Sequence, residues 1–156
     1  MFPPVPFKSW MMDLKTRLVE RDWVKWFQEI GAALSATALR LGSVGLTAQA
    51  ATVSATDFQT VSLTEGLYRV TYAARITRAA TVNSSLTVAL GWTDGGVSCS
   101  QSGAAMTGNT TSTTQSGIVA MHVDAATPVT YTLTYASAGA TTMLYSFTAA
   151  LESVPS

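Results

Sequence analysis

Five stretches of this chain alternate apolar and polar side chains with a period of two, and Gly, Asn, Asp or Pro signals separate the runs. In residues 67–78, Tyr68, Val70, Tyr72, Ala74 and Ile76 face one way while Arg69, Thr71, Arg75 and Thr77 face the other. The pattern recurs at Leu86, Val88, Leu90 and Trp92, at Val119, Met121 and Val123, at Val129, Tyr131, Leu133 and Tyr135, and at Met143, Tyr145, Phe147 and Leu151. Turn signals such as Asp94-Gly95-Gly96, Gly108-Asn109 and Ala138-Gly139 lie between the runs. With shorter strands near residues 58–63 and 97–101, about eight are expected. Strands in this number with no intervening helix predict a mainly β fold, an antiparallel sandwich or jelly roll.

The N-terminal part follows other rules. Phe2-Pro3-Pro4-Val5-Pro6-Phe7 cannot be helical, because proline fixes φ and pushes the preceding residue to extended geometry. It predicts an extended arm that packs on its own domain or on a partner. From about Glu20 to Leu39 the period becomes helical: Trp23, Trp26, Phe27, Ile30, Ala33 and Leu34 form one stripe, with Arg21, Lys25, Gln28 and Glu29 outside it. Asp22 suits the first turn, and Gly42 and Gly45 are candidate stop signals. Residues 41–57 are small and polar, and they read as a linker that becomes a short strand around Ala51 to Ala55. The expected division is therefore an arm and helix over 1–45 and a β-sandwich over 46–156.

Charge is distributed just as unevenly. Ten of the 18 charged side chains fall in the first 40 residues, and no lysine follows Lys25. Roughly a quarter of an ordinary soluble surface is charged, so a body this poor in charge is expected to meet neighbouring subunits, a scaffold or a surface. The formal net charge is zero and no basic cluster or Arg-aromatic stripe occurs, which argues against nucleic acid. Met1 to Trp10 has neither a basic leader nor a long apolar run, so neither a secretion signal nor a membrane span is expected.

Chemistry-bearing residues are sparse. Cys99 and His122 are each the single residue of their type, which excludes an intramolecular disulfide and a cysteine metal cage within one chain. His122, between Met121 and Val123, reads as a polar-face strand residue. Asp57, Glu65, Asp94, Asp124 and Glu152 carry no local catalytic motif, no G-x-S-x-G elbow occurs, and no metal ligands cluster in sequence. No enzymatic activity, cofactor or metal is expected. The least patterned stretch is Gly103 to Gly117, with six Thr or Ser residues between Gly108 and Gly117. It predicts a long loop at one end of the sandwich, either a polar spacer or a binding surface. Thr110, Thr111, Thr113 and Gln115, with Asp94 in its turn, are the candidate surface-loop binding residues.

The segments Pro3-Pro4-Val5-Pro6-Phe7 and Trp23-Val24-Lys25-Trp26-Phe27-Gln28 resemble the arm-and-helix start of small tailed-phage virion proteins. Gly66-Leu67-Tyr68-Arg69-Val70-Thr71-Tyr72, Gly91-Trp92-Thr93-Asp94-Gly95 and Thr127-Pro128-Val129-Thr130-Tyr131 resemble segments of phage structural proteins in the same way. The resemblance covers most of the chain, and its motifs are signatures of fold. It implies a virion component, a trimer with a jelly-roll body as in head fibres, decoration proteins and tail-fibre tips. The docking and self-association residues would then be Phe2, Phe7, Trp10, Trp23, Trp26, Phe27, Ile30 and Leu34, and the partners further copies and other capsid or tail proteins. The alternative is a host-surface module whose loops bind a glycan or receptor. Trp92 discriminates, and its continuation of the Leu86, Val88 and Leu90 face places it in the core.

Overall fold

Strand β3 (Gly66–Arg78) shows how far the alternation carries. Tyr68, Val70, Tyr72, Ala74 and Ile76 are all buried, and Leu67, Arg69, Thr71, Ala73 and Arg75 between them are exposed. The computed structural model describes Pro4, residues 21–35 and residues 38–155. Leu39–Val154 forms one unit, and the helix α1 (Arg21–Ser35) belongs to another.

Eight further strands complete the body: β1 (Arg40–Gln49), β2 (Val53–Asp57), β4 (Ser85–Asp94), β5 (Val97–Ser102), β6 (Met106–Thr107), β7 (Thr114–Val123), β8 (Thr130–Ala136) and β9 (Leu144–Ser153). All pairings are antiparallel. One sheet runs β1-β9-β3-β7 and the other β2-β8-β4-β5, with the two-residue β6 pairing β4. Setting β6 aside, early strands alternate with late ones in each sheet. This is the order produced when one long hairpin is rolled up, and it makes the sandwich a jelly roll. The inner faces meet in one core. Tyr145, Phe147, Ile76, Leu86, Leu90, Leu133, Met143 and Leu151 are among its fully buried side chains.

Tyr145 carries a hydroxyl into that core, where it donates to the Ala51 carbonyl at 2.7 Å. Burial pushes the phenol above its ordinary value of 10.0, and the neighbouring Tyr135 and Tyr131 add to the effect. A folded-state value above the unfolded one means that the contribution is fully present below about pH 10 and lost as pH rises through the folded value. Thermal midpoints followed by circular dichroism are therefore expected to fall above pH 10. Tyr145→Phe is expected to flatten part of that fall.

Four expectations need correction. Residues 41–49 are not a linker but most of β1, paired with β9 from Arg40↔Glu152 to Gln49↔Tyr145. A register shift between Arg40 and Gly42 breaks the parity of Leu41 against Val44 and Leu46, which hides the period of two. As a result, residues 40–45, placed with the arm and helix in sequence, are part of the sandwich, whose unit begins at Leu39. The described helix ends at Ser35, and Gly42 and Gly45 are strand residues that stop no helix. Residues 58–63 form no strand. Phe58 and Leu63 are each only 5% exposed, and the Phe58 N–H donates to the Val129 carbonyl at 2.9 Å, so this loop is an irregular plug over the core.

Candidate functional site

The roll gathers three loops at one end of the body: residues 58–65, the Gly95-Gly96 turn and residues 124–129. Here the two sheets exchange their most chemically varied side chains. Asp94 is the last residue of β4, in one sheet, and His122 is the penultimate residue of β7, in the other. His122 Nδ1 lies 2.9 Å from Asp94 Oδ1 in a hydrogen bond, and its Nε2 lies 3.8 Å from Glu65 Oε1. The pairing of Leu67 with His122 explains the latter, since Glu65 immediately precedes β3.

Asp124 completes the group. Its Oδ1 accepts the Gly95 N–H at 2.9 Å and its Oδ2 the Gly96 N–H at 2.7 Å. Gly95 and Gly96 have φ of +58° and +75°, the left-handed pair demanded by a two-residue hairpin turn of the primed type. That turn aims both amides at Asp124. The amides of Gly96 and then Gly95 hold the Asp124 carboxyl below the usual carboxylate range, and His122 adds a smaller pull in the same direction. Around it the backbone is stitched: Asp124 N–H donates to the Thr93 carbonyl, Ala126 N–H to the Leu63 carbonyl, and the Thr127 hydroxyl to the Asp124 carbonyl.

The ligating atoms of Asp94, His122 and Asp124 lie within 4.8 Å of one another. The expectation that no metal ligands cluster is thus overturned in space. The sequence hides the group because each member stands alone in its own turn or strand end, and only the strand order brings them together. Among the described residues no serine, threonine or cysteine side chain hydrogen-bonds His122. The arrangement offers an oriented imidazole and a fixed carboxylate.

Thr110, Thr111, Thr113 and Gln115 lie at the other end, away from Asp94, because β6 pairs the first residues of β4 and the Gly95-Gly96 turn follows its last. The stretch is not one free loop. Asn109 accepts the Ser84 N–H and donates to the Ala80 and Val82 carbonyls, Met106 is buried, and Gln115 Nε2 donates to the Ala104 carbonyl at 3.1 Å. Gln115 is therefore a latch for its own loop, and the Thr113 carbonyl accepts the Ile76 N–H. Of the four candidates, Thr110 and Thr111 are exposed, and Thr113 and Gln115 are half-buried.

Of the docking residues, Phe2, Phe7 and Trp10 lie outside the described residues. Trp23, Trp26, Phe27 and Ile30 are on α1, and Leu34 is in the same helix, its side chain not described. The rings of Trp23 and Trp26 meet edge to face at 5.4 Å, and Phe27 is 5.2 Å from Trp26 with half of its surface exposed. Trp92 packs against the core. No described helix is long and apolar enough to cross a membrane. No protein-family model matches the chain, and no curated protein matches it.

Proposed function

We propose that the chain is a structural subunit of a tailed-phage virion, a decoration, fibre or adaptor protein. It anchors by its N-terminal arm and helix and self-associates through the jelly roll as a trimer. The observation that carries this reading is the outer face of the β1-β9-β3-β7 sheet. Two successive cross-strand rows there, Ser43, Ala150, Thr71 and Ile118, then Gly45, Thr148, Ala73 and Ser116, hold no charge, and Ile118 is 71% exposed. The flanking row carries Arg40, Glu152 and Arg69, with Arg69 and Glu152 paired at 2.8 Å. A neutral centre with a charged border supports a subunit contact, since the centres of such contacts are depleted of charge.

The other sheet supports the same reading, since the outer positions of β4 and β8 are Ser, Thr, Ala and Gly. Host-glycan recognition fits less well. Sugar faces stack on exposed aromatic rings, whereas Phe58, Tyr68, Tyr72, Tyr131, Tyr145 and Phe147 are buried, and Trp92 and Tyr135 pack against the core. Light scattering of the purified full chain at micromolar concentration is expected to give about three times the 16.4 kDa chain mass. Ile118→Arg is expected to shift it to monomer, by placing an unpaired charge in the seam. A wild-type monomer at that concentration sinks the proposal.

A further inference from the structure

We propose that Asp94, His122 and Asp124 form a binding site for a zinc-class divalent ion, with Glu65 orienting the imidazole. The donor set is the first reason. One imidazole nitrogen with carboxylate oxygens suits borderline ions such as zinc, whereas calcium and magnesium take oxygen alone. The spacing is the second. Two ligands of one tetrahedral zinc, each at about 2.0 Å, lie roughly 3.3 Å apart. His122 Nδ1 and Asp94 Oδ1 are 2.9 Å apart, so a small opening of that pair admits the ion.

Asp124 is prepared for the same task. Its two amide bonds fix the carboxylate, and each oxygen retains a second lone pair for a metal. Glu65 stands on the opposite side of the ring, 3.8 Å from Nε2. A metal-bound histidine usually donates its remaining N–H to a carboxylate, which fixes the tautomer and strengthens the ligand. In this geometry Nδ1 takes the ion and Nε2–H turns to Glu65, so Glu65 is a positioning residue. Water fills the remaining coordination. The ion would tie a strand end of each sheet to the Gly95-Gly96 turn, closing one end of the roll.

The test uses tag-free, metal-stripped full-length chain titrated with Zn²⁺ at neutral pH by calorimetry, while proton NMR follows the imidazole. His122 is the chain's single histidine, so its resonances report this site alone. One Zn²⁺ per chain, with displacement of the His122 signals, is the expected result. Asp124→Asn is expected to weaken binding at least tenfold, Glu65→Gln about tenfold, and Cys99→Ser not at all. The absence of saturable binding, or binding that leaves the His122 signals in place, overturns the assignment. So does tighter binding of Ca²⁺ than of Zn²⁺. His122→Ala is expected to abolish the titration; the wild-type NMR result decides by itself, whatever the fold of that variant.

Discussion

Phe147→Ala is expected to lower the unfolding free energy by about 3–5 kcal/mol. Phe147 sits on β9, the strand between β1 and β3, and is fully buried. Its ring stacks on Tyr131 of the opposite sheet at 5.5 Å and lies 6.4 Å from Tyr72. Truncation removes the contact that joins the two layers at mid-height and leaves a cavity that rigid strands on both sides cannot close. Against a total stability of about 5–15 kcal/mol this loss is large, and it is read directly from the shift in urea midpoint. Ile118→Ala, on the outer face of β7, should change the unfolding of an isolated subunit by less than about 0.5 kcal/mol. Similar losses for the two variants would mean that the sheets are not packed on Phe147.

Gly42→Ala is the second large effect, expected at about 2–3 kcal/mol from a single added methyl group. A Cβ at Gly42 would stand 2.1 Å from the Phe58 carbonyl oxygen and 2.8 Å from its carbon. These are backbone atoms, held because the Phe58 N–H is bonded to Val129 and the Phe58 ring packs on Tyr131 at 5.1 Å. Neither strand nor loop can turn aside as a side chain would. Gly45, three residues along the same strand, has nothing within 4 Å of its added Cβ and serves as the control. In an isolated subunit Gly45→Ala should be neutral or slightly stabilising, because it reduces the freedom of the unfolded chain without a clash. Equal effects at the two sites would show that the close approach of β1 to Phe58 is not maintained in solution.

The strands that could be read in advance are those whose inner residues are large. β3, β4, β7, β8 and β9 place Tyr, Phe, Leu, Ile, Met or Val at most of their inward positions, and burial follows that rhythm. β1 escapes because its inner side is modest, Leu41, Val44 and Leu46, and a bulge breaks the count. β6 is two residues long and owes its place to the burial of Met106 and its pairing with Leu86. The Asp94-Gly95-Gly96 turn was legible from its glycines, and Asp94 was singled out with it. Asp94's partners were not, because nothing local in Met121-His122-Val123-Asp124 indicates which hairpin from the other sheet will lie beside it. Glu65 is hidden for the same reason. Strand register, a property of the whole roll, makes neighbours of residues 57 positions apart in the case of Glu65 and His122.

The position of β9 has a consequence for how the chain is made. It is the last strand to be synthesised, yet it lies between β1 and β3 and hydrogen-bonds both. Until residues 144–153 leave the ribosome, β1 has no partner in its sheet, and the edge of β3 that receives β9 is bare. A nascent chain halted before this point is a collection of adhesive edges with no centre, a natural substrate for chaperones and a hazard for aggregation. The body therefore closes only after β9 has been made, and slowly, since its pairings span most of the sequence. Loss of residues 144–153 should therefore leave a chain that aggregates or is degraded, not merely a shorter sandwich.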